Sequence, residues 1–128
     1  MSLKLLKEHS SDNLGIGVSE EQINQLEESL DIQLPQEYKD FLVEIGYAEI
    51  YGDEIYSIYE IPDTETCKGI HWTNTHNELL SDGFIEFFSN DIDGTFYIES
   101  NTGKVFLNDK DSEYAKSFYE FLELIINE

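Results

Sequence analysis

Two stretches of this chain hold residues whose types and spacing could do chemistry. In SNDIDGTFYIES, Ser89 to Ser100, the residues Asp91, Asp93 and Gly94 fall at positions three, five and six of an EF-hand calcium loop. That loop depends on a carboxylate at position one and a bidentate glutamate at position twelve. Here those positions are Ser89 and Ser100, and Glu99 lies one residue out of register. The stretch reads instead as a polar hairpin turn, because Asp and Gly tolerate the backbone angles that tight turns require. The second stretch holds Cys67, His71 and His76. Histidines five apart point to different faces of a helix or a strand, and no second cysteine completes a zinc set. Cys67 and His71 have the i, i+4 spacing of a thiol–imidazole pair, but Gly69 between them weakens the helix that would align them. No phosphate-cradling glycine loop, G-x-S-x-G elbow or H-E-x-x-H helix occurs. The sequence therefore assigns no catalytic residue, no metal and no cofactor.

Charge points to binding instead. The 128 residues carry 28 acids against seven lysines and no arginine, a formal charge of −21. A phosphate backbone needs a basic surface, so direct nucleic-acid binding is excluded, and an anionic membrane is repelled. Residues 1–18 are neutral, with Lys4 and Lys7 against Glu8 and Asp12, so the whole excess lies beyond them. A surface of this sign steers a basic protein toward it. The residues placed to form such a surface are the acids near turns, Glu49, Asp53, Glu54, Asp82, Asp91 and Asp93, with Tyr51 and Tyr56 as aromatic anchors. Solvated turns and packed strand tyrosines account for the same residues without a partner. The lone Cys67 forms no internal disulfide, and no signal-peptide pattern or apolar run of membrane-spanning length is present. A reducing cytoplasm is the expected compartment.

The elements that must position these residues follow from periodicity. Ser19 and Gln22 have capping-box spacing, Val18 and Ile23 that of a hydrophobic staple, and Ile23, Leu26 and Leu30 repeat with helical period. In LPQEYKDFLVEIG, Pro35 suits a first helical turn, Tyr38, Phe41, Leu42 and Ile45 share a face, and Gly46 is placed to end the helix. That helix is expected to be scaffold. Strands are expected near EIYSIYEI, FIEFF, GTFYIES and KVFLN, the last three as a meander from Phe84 to Asn108. TETCKGIHWTNTHNELL is read as an irregular segment and then a short helix. At the end of the chain Ser112 is taken to cap a helix whose stripe is Tyr114, Phe118, Phe121, Leu122 and Ile125. The order of elements implies an α+β fold, a single domain over residues 18–128 after a lead-in at 1–17.

VSEEQINQLEESLDIQLPQEYKDFLVEIG, YGDEIYSI, LLSDGFIEFFSNDIDGTFYIESNTGKVF and SFYEFLELI, in that order, resemble the SUKH superfamily. That group includes yeast cell-wall-assembly regulators and many bacterial immunity proteins. The resemblance spans roughly residues 18 to 126. One departure is Ile45, standing where relatives commonly carry asparagine before the glycine. The resemblance implies a mainly antiparallel sheet flanked by helices, with no catalytic activity. It further implies a role as the antidote of a bacterial polymorphic toxin, or as an intracellular regulatory or scaffolding module.

Overall fold

Leu3 and Leu6 lie one helical turn apart and both are buried. They dock the short helix α1, Lys4–His9, against the C-terminal helix and the first strand, so part of the expected lead-in packs onto the same core as the domain. The computed structural model describes residues 3–9, 17–56 and 70–127. Helix α2, Glu20–Leu30, begins with the expected capping box. The Ser19 hydroxyl accepts the Gln22 N–H at 3.2 Å, and the Gln22 side chain accepts the Ser19 N–H at 3.0 Å. Its apolar stripe, Ile23, Leu26 and Leu30, is buried.

Helix α3 spans Gln36–Glu44. Pro35 lies one position before the first turn, in extended backbone, rather than inside it. Glu27 ties the two helices together, accepting the Leu34 N–H at 2.7 Å and pairing with Lys39 at 3.3 Å. Tyr38, Phe41 and Leu42 are buried, and Gly46 takes the positive φ that ends the helix, its N–H returning to the Phe41 carbonyl.

A six-stranded antiparallel sheet follows in chain order: β1 Ala48–Ile50, β2 Asp53–Ile55, β3 Phe84–Asn90, β4 Gly94–Glu99, β5 Val105–Leu107 and β6 Glu113–Ala115. The meander of β3, β4 and β5 is where the sequence places it. Ahead of it a hairpin forms from Ala48 to Ile55, with Tyr51 and Gly52 both at positive φ; β1 is not among the expected strands, β2 takes in Glu54 and Ile55 of the EIYSIYEI stretch, and residues 57–61 of that stretch lie outside the described residues. A tyrosine in that conformation is uncommon. Here it is held by its O–H bond to the Ile126 carbonyl and by the His9 ring edge-on at 4.6 Å.

Helix α4, Ile70–Thr75, is the short helix of the ambiguous segment, and a 3-10 turn, Leu80–Asp82, leads into β3. The last helix, α5, spans Phe118–Ile126 and is capped by Ser117, which accepts the Glu120 N–H at 3.1 Å. Ser112 is therefore not the cap. Tyr114 repeats helically with Phe118 and Phe121, yet it lies in β6, where Ala115 pairs with Val105. Phe118, Phe121, Leu122 and Ile125 form the buried stripe. Phe121 meets Phe87 at 4.9 Å and Phe96 at 5.2 Å, and Phe118 meets Tyr38 at 5.3 Å, so α3 and α5 cover one face of the sheet. The fold is α+β, with helices flanking the sheet.

Candidate partner-binding face

The hairpin of β1 and β2 sorts its side chains by strand alternation. Ala48, Ile50 and Ile55 are buried, so Glu49 and Glu54 project from the opposite face. The register sets these two carboxylates directly across from each other. Like charges in such a pair oppose strand pairing. The Tyr47 O–H donates to the Glu49 carboxylate. A furrow of about 390 Å³ runs along this face, lined by Tyr47, Glu49, Gly52, Asp53, Glu54, Tyr56 and Ser89.

Asp53 senses the crowding of charge. Burial raises its pKa above the ordinary carboxylate value, and the carboxylates of Asp91 and Glu49 raise it further. Asp91, at the tip of the turn between β3 and β4, is thus close enough to act on β2.

The turn carrying Asp91 is held by two asparagines. The Asn90 side-chain oxygen accepts the Asp93 N–H at 2.6 Å and the Gly94 N–H at 3.3 Å, while its side-chain amide nitrogen donates to the Asp93 carboxylate at 3.2 Å. Asn108 accepts the Thr95 N–H at 3.0 Å and donates to the Asp93 carbonyl at 3.2 Å. Gly94 has φ 121°, and a Cβ there would lie 2.2 Å from the Asn108 side-chain oxygen, so only glycine fits.

The eight residues singled out from the sequence therefore divide. Glu49, Asp53, Glu54 and Tyr56 line one furrow, with Asp91 beside it. Asp93 holds its own turn, and Tyr51 ties the hairpin turn to α1 and α5. Asp82 precedes β3, at the end of that strand away from Asp91, and pairs with Lys110 at 3.4 Å.

Glu86 escaped the sequence reading. It lies directly across from Tyr97, is bonded to Tyr56 and is half-buried. Burial raises its pKa, partly offset by the Tyr56 hydrogen bond. The Tyr56 phenol is raised in turn, by burial first and then by Glu86 and Glu54. The available signal was a carboxylate at the centre of the apolar run FIEFF.

His71 Nε2 is 2.9 Å from the Ser29 hydroxyl and His76 Nδ1 is 3.0 Å from the Thr75 hydroxyl. Cys67 lies outside the described residues. Among the described residues no group of three or more His, Cys, Asp or Glu is arranged to hold a metal ion. No described helix is long and apolar enough to cross a membrane.

Residues 17–124 match the model of the SMI1 / KNR4 family (SUKH-1). The chain belongs to this family. SUKH-1 proteins typically bind partner proteins and are generally non-catalytic. Comparison with curated proteins gives no match. The departure at Ile45 leaves the fold intact, because Ile45 is buried and Gly46 still ends α3.

Proposed function

We propose that this SUKH-1 domain is a non-catalytic bacterial immunity protein, acting in the cytoplasm of a cell that makes a polymorphic toxin. It binds a basic toxin domain stoichiometrically and blocks it. The observation that carries this reading is the convergence of Glu49, Asp53, Glu54 and Tyr56 in one furrow on the hairpin face, with Asp91 beside Asp53. A nuclease suits such a face, because an enzyme that grips a phosphate backbone must be cationic, and an anionic inhibitor answers the same charge. Tyr56 supplies an aromatic anchor in the middle of the acids.

The test immobilises the wild-type chain, the E49K/E54K variant and an E28K/D31K control altered on exposed residues of α2 and its C-terminal cap. Lysate of the producing cells is passed over each and eluted in steps of salt. One basic protein should be held by wild type and control, released as ionic strength rises and lost from E49K/E54K. That protein, expressed alone, should be toxic, and co-expression of the wild-type chain should restore growth. Equal capture by E49K/E54K would refute the hairpin face. Capture of several envelope or signalling proteins, none of them toxic, would assign the domain to the regulatory or scaffolding role instead.

A further inference from the structure

A second furrow, of about 630 Å³, lies between α2 and α3, with Tyr119 of α5 in its wall. Its volume is that of a ligand-sized cleft. Its exposed apolar residue is Val43, above the buried Ile23. Val43 is 45% exposed on a helix whose other large apolar residues, Tyr38, Phe41 and Leu42, are buried. Neither the fold nor the hairpin face accounts for it.

Carboxylates outnumber cations around this apolar strip. Asp40 accepts from the Gln36 amide at 2.9 Å and from the Tyr119 O–H at 3.4 Å. Glu20 and Glu44 stand in the same wall, Glu44 also pairing with Lys7 of α1 at 3.2 Å. Among the described residues no cation pairs with Glu20 or Asp40. Lys39, the cation of this wall, has its charge answered by Glu27 at 3.3 Å. The Tyr119 phenol registers the field. Burial, and then Asp40, Glu37 and Glu44, push its pKa up to about 12.

We infer that this furrow docks a basic segment of a protein partner. A leucine-sized side chain of that segment seats against Val43, and flanking lysines or arginines reach Asp40 and Glu20 beside Tyr119. The occupant follows from charge complementarity and from length. Gln36 to Glu44 rises about 12 Å, enough for two helical turns or about four extended residues. An arginine over the tyrosine face gains a cation–π contact in addition to its ion pair. This site is separate from the hairpin face and does not depend on it.

The experiment titrates isotope-labelled wild-type protein with acetylated Arg-Leu-Leu-Arg amide, followed by amide resonance shifts. Saturable shifts are expected at Ile23, Asn24, Val43 and Tyr119. Binding should weaken about fivefold or more in E20Q/D40N, the scale of one or two exposed charge pairs, and also in V43S. E49K/E54K should bind within about twofold of wild type, which separates this site from the hairpin reading. The inference is overturned by unaltered affinity in a folded E20Q/D40N, by equal binding of the peptide with citrulline for arginine, or by spermidine giving the same shift map at the same affinity. The last result would reduce the site to counterion attraction.

Discussion

Replacing Asn74 by alanine tests how the sheet edge beside the candidate face is closed. Among the described residues β2 meets β3 at Ile55 and Phe88, with the Tyr56 N–H to the Phe87 carbonyl. Before that point the edge of β3 is met by side chains. Asn74, 1% exposed, accepts the Glu86 N–H at 2.8 Å and donates to the Glu86 carbonyl at 2.9 Å, as a neighbouring strand would. It also donates to the Ile70 carbonyl at 2.9 Å and accepts from Asn77, whose amide in turn reaches the Phe84 carbonyl at 2.8 Å. Alanine leaves the N–H and C=O of Glu86 without these partners. At about 1–3 kcal/mol for each of the two stranded groups, the cost is about 2–6 kcal/mol. For 128 residues that is a fall in melting temperature on the order of 10–20 °C. The assay is urea unfolding, which should show a lower midpoint at an unchanged slope. Hydrogen exchange at the Glu86 amide should accelerate beyond the global change. The Asn74→Asp variant keeps an acceptor for the Glu86 N–H but loses the donors, and it buries a charge. Its deficit should shrink as the pH falls through its raised folded pKa. A loss below about 1 kcal/mol with Glu86 still protected would refute this account of the edge.

Phe41→Ala removes a fully buried ring that packs against Tyr38 and Phe118, each at 5.7 Å, and should cost about 3–5 kcal/mol in urea unfolding. Any binding lost by this variant should track its unfolded fraction. Ser117→Ala should cost about 1 kcal/mol, the cap of α5, whereas Ser112→Ala should be nearly neutral; the reverse order would mean the helix begins earlier. Asp53 and Glu86 both have folded pKa values raised above their unfolded ones. Their stabilising contribution is therefore present below the ordinary carboxylate values, near about 4, and lost as the pH rises through the raised values. Unfolding midpoints should consequently improve on moderate acidification from neutrality. Asp53→Asn and Glu86→Gln should each flatten that dependence, and an unchanged pH profile in both would contradict the shifts.

Helices α2 and α3 and the meander were legible because each rests on a local rule that nothing distant overrides, whereas α1 carried no such signal. Ser19 and Gln22 close their box from side chains three apart, and Asp-Gly at 93–94 feeds a strand whose glycine has no alternative. The misreadings came where tertiary contacts decide. Tyr51 adopts a left-handed turn conformation that its type disfavours, because its ring and O–H are held by His9 and Ile126 from the two ends of the chain. No window around residue 51 carries that information. Tyr114 is placed in β6 by the pairing of Ala115 with Val105, although its spacing to Phe118 is helical. Ser117 and Glu120 had capping-box spacing throughout, a local signal outweighed by the more conspicuous stripe.

The candidate face divides the same way. That Glu49, Asp53 and Glu54 share a neighbourhood follows from their proximity in sequence, but Asp91 joins them through the pairing of β2 with β3, about forty residues on. The consequence is energetic as well as geometric. Asp53 is held partly desolvated beside the carboxylates of Asp91 and Glu49, so the free domain carries repulsion there that a neutral side chain at position 53 would remove. Neither Glu49 nor Glu54 is needed for the core, which Ala48, Ile50 and Ile55 supply from the other face of the hairpin. On our reading the repulsion is relieved when a basic surface covers the hairpin. The same carboxylates then favour the complex over the free domain and draw the partner in before contact.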